Sequence, residues 1–174
     1  MKVRIALLPK SEQSERLTQY SQALPMKGDG YRLDADHLPH ITLVAWEVDG
    51  AASAEEVWHL LDDVFLPEVH CAVEGIVYEN EGANGGYIMA RIEGPDELKA
   101  FTRTVHEAIT SKVGQTDLDK YTQRTPHLTI GVDMLGVSEL PPSPIKALEF
   151  DRIALVESGG FGAATRIIYE QPLA

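Results

Sequence analysis

Apolar residues in this chain fall into short runs separated by breakers, and the period within each run sorts them into strands and helices. Val3 to Leu8 is a short run stopped by Pro9 and reads as a strand. Ser11 is placed to cap a helix from about 12 to 24. Residues 27–30, Lys-Gly-Asp-Gly, read as a loop, and 31–37 is polar and leads into a strand over about 39–48. Ser53 and Glu56 make a capping-box pattern ahead of Val57, Leu60, Leu61, Val64 and Phe65, whose spacing follows one face of a helix. A helix is therefore expected over 54–66, ended by Pro67.

The second half repeats this alternation. Val69 to Tyr78 and Tyr87 to Ile92 read as strands around a turn at 79–86 that holds Gly82, Asn84, Gly85 and Gly86. Gly94-Pro95-Asp96-Glu97 opens a helix to about 112, with proline in the first turn and acids at the positive end of the dipole. Residues 114–124 read as a polar loop before a further strand at about 126–132. Pro141-Pro142-Ser143-Pro144 is a rigid connection. Glu149 to Val156 and Thr165 to Tyr169 are the last strands, joined by a turn at Gly159-Gly160-Phe161-Gly162. The order is β-α-β-α-β, then β-α-β-β-β, the pattern of a diverged duplication.

A pentapeptide marks the equivalent strand of each half. Pro39-His40-Ile41-Thr42-Leu43 and Pro126-His127-Leu128-Thr129-Ile130 both read Pro-His-apolar-Thr-apolar. On a strand, successive side chains face opposite sides, so His and Thr two apart share one face while the apolar residues pack on the other. Proline suits the first residues of a strand, where its missing N–H matters least. Two strands thus each present an imidazole and a hydroxyl to a common side. Histidine can give or take a proton near neutrality, and a pair in one groove can act as base and acid. Breaking a phosphodiester needs that division, with hydroxyl donors such as Thr42 and Thr129 to bind the phosphoryl oxygens.

Composition narrows the partners. At 174 residues the chain suffices for one domain, or two tightly joined lobes, with a real core. A formal charge of −12 disfavours long duplex nucleic acid, whose binding draws on phosphate neutralisation by Lys and Arg. A small ligand or a strand end is the expected phosphate partner. Cys71 is the single cysteine, so no intramolecular disulfide forms. No apolar run is long enough for a signal peptide or a membrane span, and a cytoplasmic location is the default expectation.

With the paired His-x-Thr-x motifs, their separation and their place after βα units, the chain resembles the two-histidine (2H) phosphoesterase superfamily over nearly its whole length. That superfamily includes RNA 2′,5′-ligase-like proteins and 2′,3′-cyclic nucleotide phosphodiesterases. The resemblance implies an α+β fold of two pseudo-symmetric antiparallel-sheet lobes with helices outside and a groove between, interleaved in one domain over 1–174. It also implies that His40 and His127 are acid and base, and that Thr42 and Thr129 bind phosphate. The activity implied is metal-independent hydrolysis of a 2′,3′-cyclic phosphate or a 2′,5′ linkage by a monomer, with no cofactor. RNA 2′,5′-ligation, a non-catalytic nucleotide-binding module and an interaction protein that keeps the motifs as remnants are the alternatives. Many members carry an arginine shortly after the second motif. Here that stretch reads Gly131-Val132-Asp133, and Arg124, Arg166, Lys27 and Lys10 are the candidates to replace its charge.

Other residues have plainer readings. His37 and His40, three apart on an extended segment, face opposite sides and do not make a metal pair. His59 and His106 on helices, and His70 at a strand start, read as solvated surface. Tyr87, Tyr31, Tyr121, Trp46 and Phe161 are candidates to stack on a base, with core packing the commoner role, above all for Trp46. Tyr87 and Arg124 are the preferred substrate contacts. Glu55, Glu56, Asp62 and Asp63 read as a solvated helix face, and Cys71 as a buried strand residue.

Overall fold

The computed structural model describes residues 1–174 except Glu81, Ala83, Asn84 and Ser138; of the glycine-rich turn read at 79–86, Asn84 lies outside the described residues. In chain order the elements are β1 (Lys2–Pro9), α1 (Ser11–Gln22), β2 (Gly30–Arg32), β3 (Ile41–Glu47), α2 (Ala51–Trp58), β4 (Val69–Asn80), β5 (Gly86–Glu93), α3 (Asp96–Ile109), α4 (Gln115–Thr122), β6 (His127–Asp133), β7 (Ala147–Ser158) and β8 (Ala164–Pro172). All strand pairings are antiparallel and join into one open sheet in the order β2-β6-β5-β4-β7-β1-β3, with β8 also paired to β7.

Two half-sheets meet at a short joint. β3-β1-β7 forms one and β6-β5-β4 the other, and Val69–Ala72 of β4 pairs with Ala147–Phe150 of β7. Each motif strand lies beside the strand that opens its own half, β3 beside β1 and β6 beside β5. The duplication extends to a defect. The β1–β3 register slips between Ile5 and Ala6, leaving Leu43 without a partner. The β5–β6 register slips between Ile88 and Met89, leaving Ile130 without one. Both are β-bulges placed directly after the motif threonine.

The halves also exchange elements. β2, from the first half of the chain, covers the outer edge of β6, whereas α4, from the second, packs on β3. Each motif strand is thereby kept from being a bare edge. Along β1, Val3, Ile5 and Leu7 join the main core with Leu17 of α1 and Leu98 and Val105 of α3. Ala6 and Leu8 lie on the opposite face in a smaller cluster with Ala154, Val156 and Ala164. Buried apolar residues of the four helices fall in the main core, so the helices pack on that face of the sheet.

Three local expectations need correction. Helix α2 begins at Ala51 and ends at Trp58, followed by a 3-10 turn over His59–Leu61, so Ser53 caps nothing and Phe65 is exposed beyond the helix. Its apolar period is met by Ala54, Val57, Trp58 and Leu61. Ser11 is the first helical residue of α1 rather than its cap; Lys10 stands at the cap position with no side-chain bond. Residues 115–122, read as loop, form α4; only Leu118 among them is buried, which leaves no apolar stripe to read.

Candidate active site

Each motif proline precedes its histidine, and in both copies the ring turns back to the carbonyl ahead of that proline. His40 Nδ1 lies 2.7 Å from Leu38 O, and His127 Nδ1 lies 3.2 Å from Thr125 O. A carbonyl only accepts, so Nδ1 carries the proton in both rings, and each Nε2 is left to meet other groups. His40 is buried and His127 half-buried.

Arg4 of β1 completes the first motif. Its Nη1 donates to His40 Nε2 at 3.1 Å and to Thr42 Oγ1 at 2.9 Å. Its Nε donates to Ser158 Oγ at 3.1 Å, and Nη2 bonds the same hydroxyl. Because Arg4 can only donate, His40 Nε2 must be the acceptor, and the ring is neutral. Burial and the adjacent Arg4 charge push His40 from 6.5 down to about 3; the Leu38 hydrogen bond acts in the opposite sense, and His127 adds a further lowering. That His127 acts on His40 at all places the two motifs in one electrostatic neighbourhood, and β3 and β6 are in contact.

Arg4 itself is 5% exposed, and burial lowers its pKa from the ordinary guanidinium value. Tyr121, Tyr31, Arg124 and Tyr87 all act on it electrostatically. The structure thus brings both expected substrate contacts, Tyr87 and Arg124, to the neighbourhood of Arg4. Tyr87 has a further tie to it: Arg4 faces Ala45 one step before the first bulge, and Tyr87 faces Val132 one step before the second. The two residues occupy equivalent positions of the duplicated strands. Arg124 is exposed and lies over the Tyr121 ring at 5.4 Å.

Of the other cation candidates, Lys10 is engaged in an ion pair with Glu149 at 2.6 Å and Arg166 in one with Glu157 at 2.9 Å. The Lys27 backbone N–H donates to the buried Asp133 carboxylate, which also takes the N–H groups of Gly28 and Leu135. His37 bonds Asp34 at 2.8 Å and stacks on Tyr31, which is buried. His59 and His70 lie on the surface beside carboxylates, Cys71 and Trp46 are buried, and Glu55, Glu56, Asp62 and Asp63 are exposed, as the sequence implies. His106 departs from its reading: it is 6% exposed, with Nε2 2.8 Å from Leu43 O.

Phe161 is exposed and takes a left-handed backbone (φ 54°, ψ 22°), unusual for a residue with a side chain. Its turn joins β7 to β8 beside the guanidinium: Ser158 bonds Arg4, and a Cβ added at Gly162 would lie 3.7 Å from Arg4 Nη2. Sequence reasoning missed Arg4 and Ser158. A cation inside the apolar run Val3 to Leu8 was the available signal, since a charge buried in a strand needs partners.

An open antiparallel sheet with a His-x-Thr strand in each half defines a two-histidine phosphoesterase-like protein. The sequence matches the 2′-5′ RNA ligase superfamily over residues 8–160, and the chain belongs to that family. Arg4 lies outside the matched span. No curated protein matches the sequence. Among solved structures, TT0787 of Thermus thermophilus is similar at a TM-score of 0.72 and 16% identity, covering 99% of this chain and 98% of that one. E. coli LigT complexed with NADP+ is similar at 0.70 and 12%, covering 99% and 96%. Usb1 of Kluyveromyces marxianus is similar at 0.58 and 13%, covering 99% and 98%. At such identities the likeness shows the fold.

Proposed function

We propose that this protein is a metal-independent phosphoesterase that hydrolyses a 2′,3′-cyclic phosphate of a nucleotide or RNA end, or a 2′,5′ linkage, by histidine acid–base catalysis. The observation that carries this reading is the matched pair of imidazoles, each held by Nδ1 on the carbonyl ahead of its motif proline, with the Nε2 of His40 bonded to the buried cation Arg4. Family membership and the nucleotide complexes of E. coli LigT, with ATP, 3′-AMP and NADP+, support a nucleotide as ligand.

The substrate phosphate binds Arg4, Thr42 and Thr129. A phosphate offers the guanidinium paired acceptors, draws it from His40 and frees the Nε2 lone pair. His40, neutral at rest, then takes a proton from water as the oxygen attacks phosphorus. The bond from phosphorus to one ribose oxygen breaks, and that oxygen receives the Nε2 proton of His127, which enters the step as an imidazolium and leaves it neutral with Nδ1–H still on the Thr125 carbonyl. The product is a phosphomonoester. Charge growing on the equatorial oxygens is met by donors already in place. Tyr87, Arg124 and the exposed Phe161 are the side chains proposed to contact the rest of the nucleotide.

Turnover assays in EDTA test this, using 2′,3′-cyclic nucleotides, ADP-ribose 1″,2″-cyclic phosphate and short 2′,5′-linked oligonucleotides. Wild type is expected to turn over at least one, and His40→Ala and His127→Ala are each expected to lose at least about a hundredfold in kcat. Saturable nucleotide binding without turnover would establish a binding module instead. Full activity in the double variant would remove the two-histidine mechanism.

A further inference from the structure

We infer that His106 and Ser21 are positioning residues for the two motifs, each reaching from a helix that follows the first strand of one half to the motif strand of the other. The bulge after each threonine leaves one residue without a partner in the β1–β3 or β5–β6 ladder, Leu43 in the first motif and Ile130 in the second. An unpaired carbonyl in a buried strand needs a donor. His106 of α3 donates Nε2–H to Leu43 O at 2.8 Å, and Ser21 of α1 donates its hydroxyl to Ile130 O at 2.6 Å. Both bonds are buried, and both donors are polar residues on otherwise core-facing helix positions.

The arrangement is crossed. α1 follows β1, yet Ser21 holds the bulge of β6; α3 follows β5, yet His106 holds the bulge of β3. Ser21 is further fixed because its oxygen accepts the Leu33 N–H at 2.8 Å, which ties it to the end of β2. His106 Nδ1 faces the Thr122 hydroxyl of α4 at 3.3 Å. Each bulge is thus held by the helix and by the segment that covers its strand's outer edge. A bulge re-aims the side chains next to it. Holding its carbonyl therefore holds the aim of Thr42 and His40 in one strand, and of Thr129 and His127 in the other.

This inference rests on the proposed catalytic roles for its kinetic readout but not for its structural one. The test compares His106→Leu, which fills similar space with no donor, His106→Gln, which restores an N–H, and Ser21→Ala. Imidazole nitrogen NMR signals are recorded on each folded variant, and turnover on whichever substrate the wild type accepts. His106→Leu should shift the His40 signals and leave those of His127 in place; Ser21→Ala should do the reverse. His106→Leu should lower kcat about tenfold or more at little-changed KM, because a small misplacement of the reacting groups acts mainly on turnover. His106→Gln should recover most of that loss. Unmoved His40 signals in folded His106→Leu, together with unmoved His127 signals in Ser21→Ala, would overturn the inference. So would wild-type kcat in both variants of an active enzyme. If wild type turns over nothing, the catalytic reading falls and the crossed NMR pattern still decides this one. Should His106→Leu fail to fold, the His127 signals of Ser21→Ala decide it alone.

Discussion

Arg4 sets the character of the site at the scale of single residues. One guanidinium group bonds His40, Thr42 and Ser158, and its presence fixes the tautomer of His40. Chemistry then divides by leaving group. If His127 is the proton donor, His127→Ala should regain activity on an aryl phosphodiester whose leaving group needs no proton, while His40→Ala should not. The reverse pattern would exchange the two roles. Stability carries a second signature. His40 has a folded-state pKa of about 3 against 6.5 for the free side chain, so between these values the unfolded chain binds the proton and the native state does not. Stability from this group is intact above pH 6.5 and is lost as pH falls toward 3, at about 1.4 kcal/mol per pH unit. Urea midpoints between pH 4 and 7 should therefore fall more steeply with acid in wild type than in His40→Gln. Parallel slopes would refute the shift. His106, also lowered by burial, is common to both proteins and cancels in the comparison.

The motif strands are the elements on which the site depends, and each carries a liability at its outer edge. α4 answers it for β3. Its hold on the core rests chiefly on Leu118, which is 2% exposed, with the partly buried Tyr121 packed beside the core. Leu118→Ala should lower stability by about 2–5 kcal/mol, the usual range for truncating a buried leucine. It should also reduce turnover, since α4 carries Tyr121 and leads into Arg124. A chemical denaturation curve and a kcat measurement on the same preparation check both. A variant as stable as wild type would mean α4 contributes nothing to holding β3.

Across the whole molecule, β3-β1-β7 combines strands from both ends of the chain, β2 from the first half extends β6-β5-β4, and β4 pairs with β7 at the joint, so the two half-sheets are tied through the chain as well as through the sheet. Phe150, fully buried, sits at that joint opposite Val69 and Pro9. The expectation is a single unfolding transition, with tryptophan fluorescence and far-UV circular dichroism coincident in urea. Two separated transitions would show the halves to be independent. The charge balance works at this scale too. A net charge of −12 is set against the buried cation Arg4, a balance that disfavours long duplex nucleic acid.

By itself the sequence determined every strand but the short β2, most helices, the duplication and the repeated His-x-Thr motif. Those features are written in local period and in a repeated pentapeptide, and a two-residue spacing on a strand is enough to put His and Thr on one face. The boundaries of α2 and the existence of α4 escaped, because capping and edge coverage depend on what lies across the fold. Only the tertiary structure decided the rest. Arg4 is 36 residues from His40 and Ser158 is 154 from Arg4, so no local pattern joins them. His106 read as a surface histidine because its partner, the Leu43 carbonyl, is backbone and 63 residues away. A buried polar side chain is defined by the group that satisfies it, and long-range packing chooses that group.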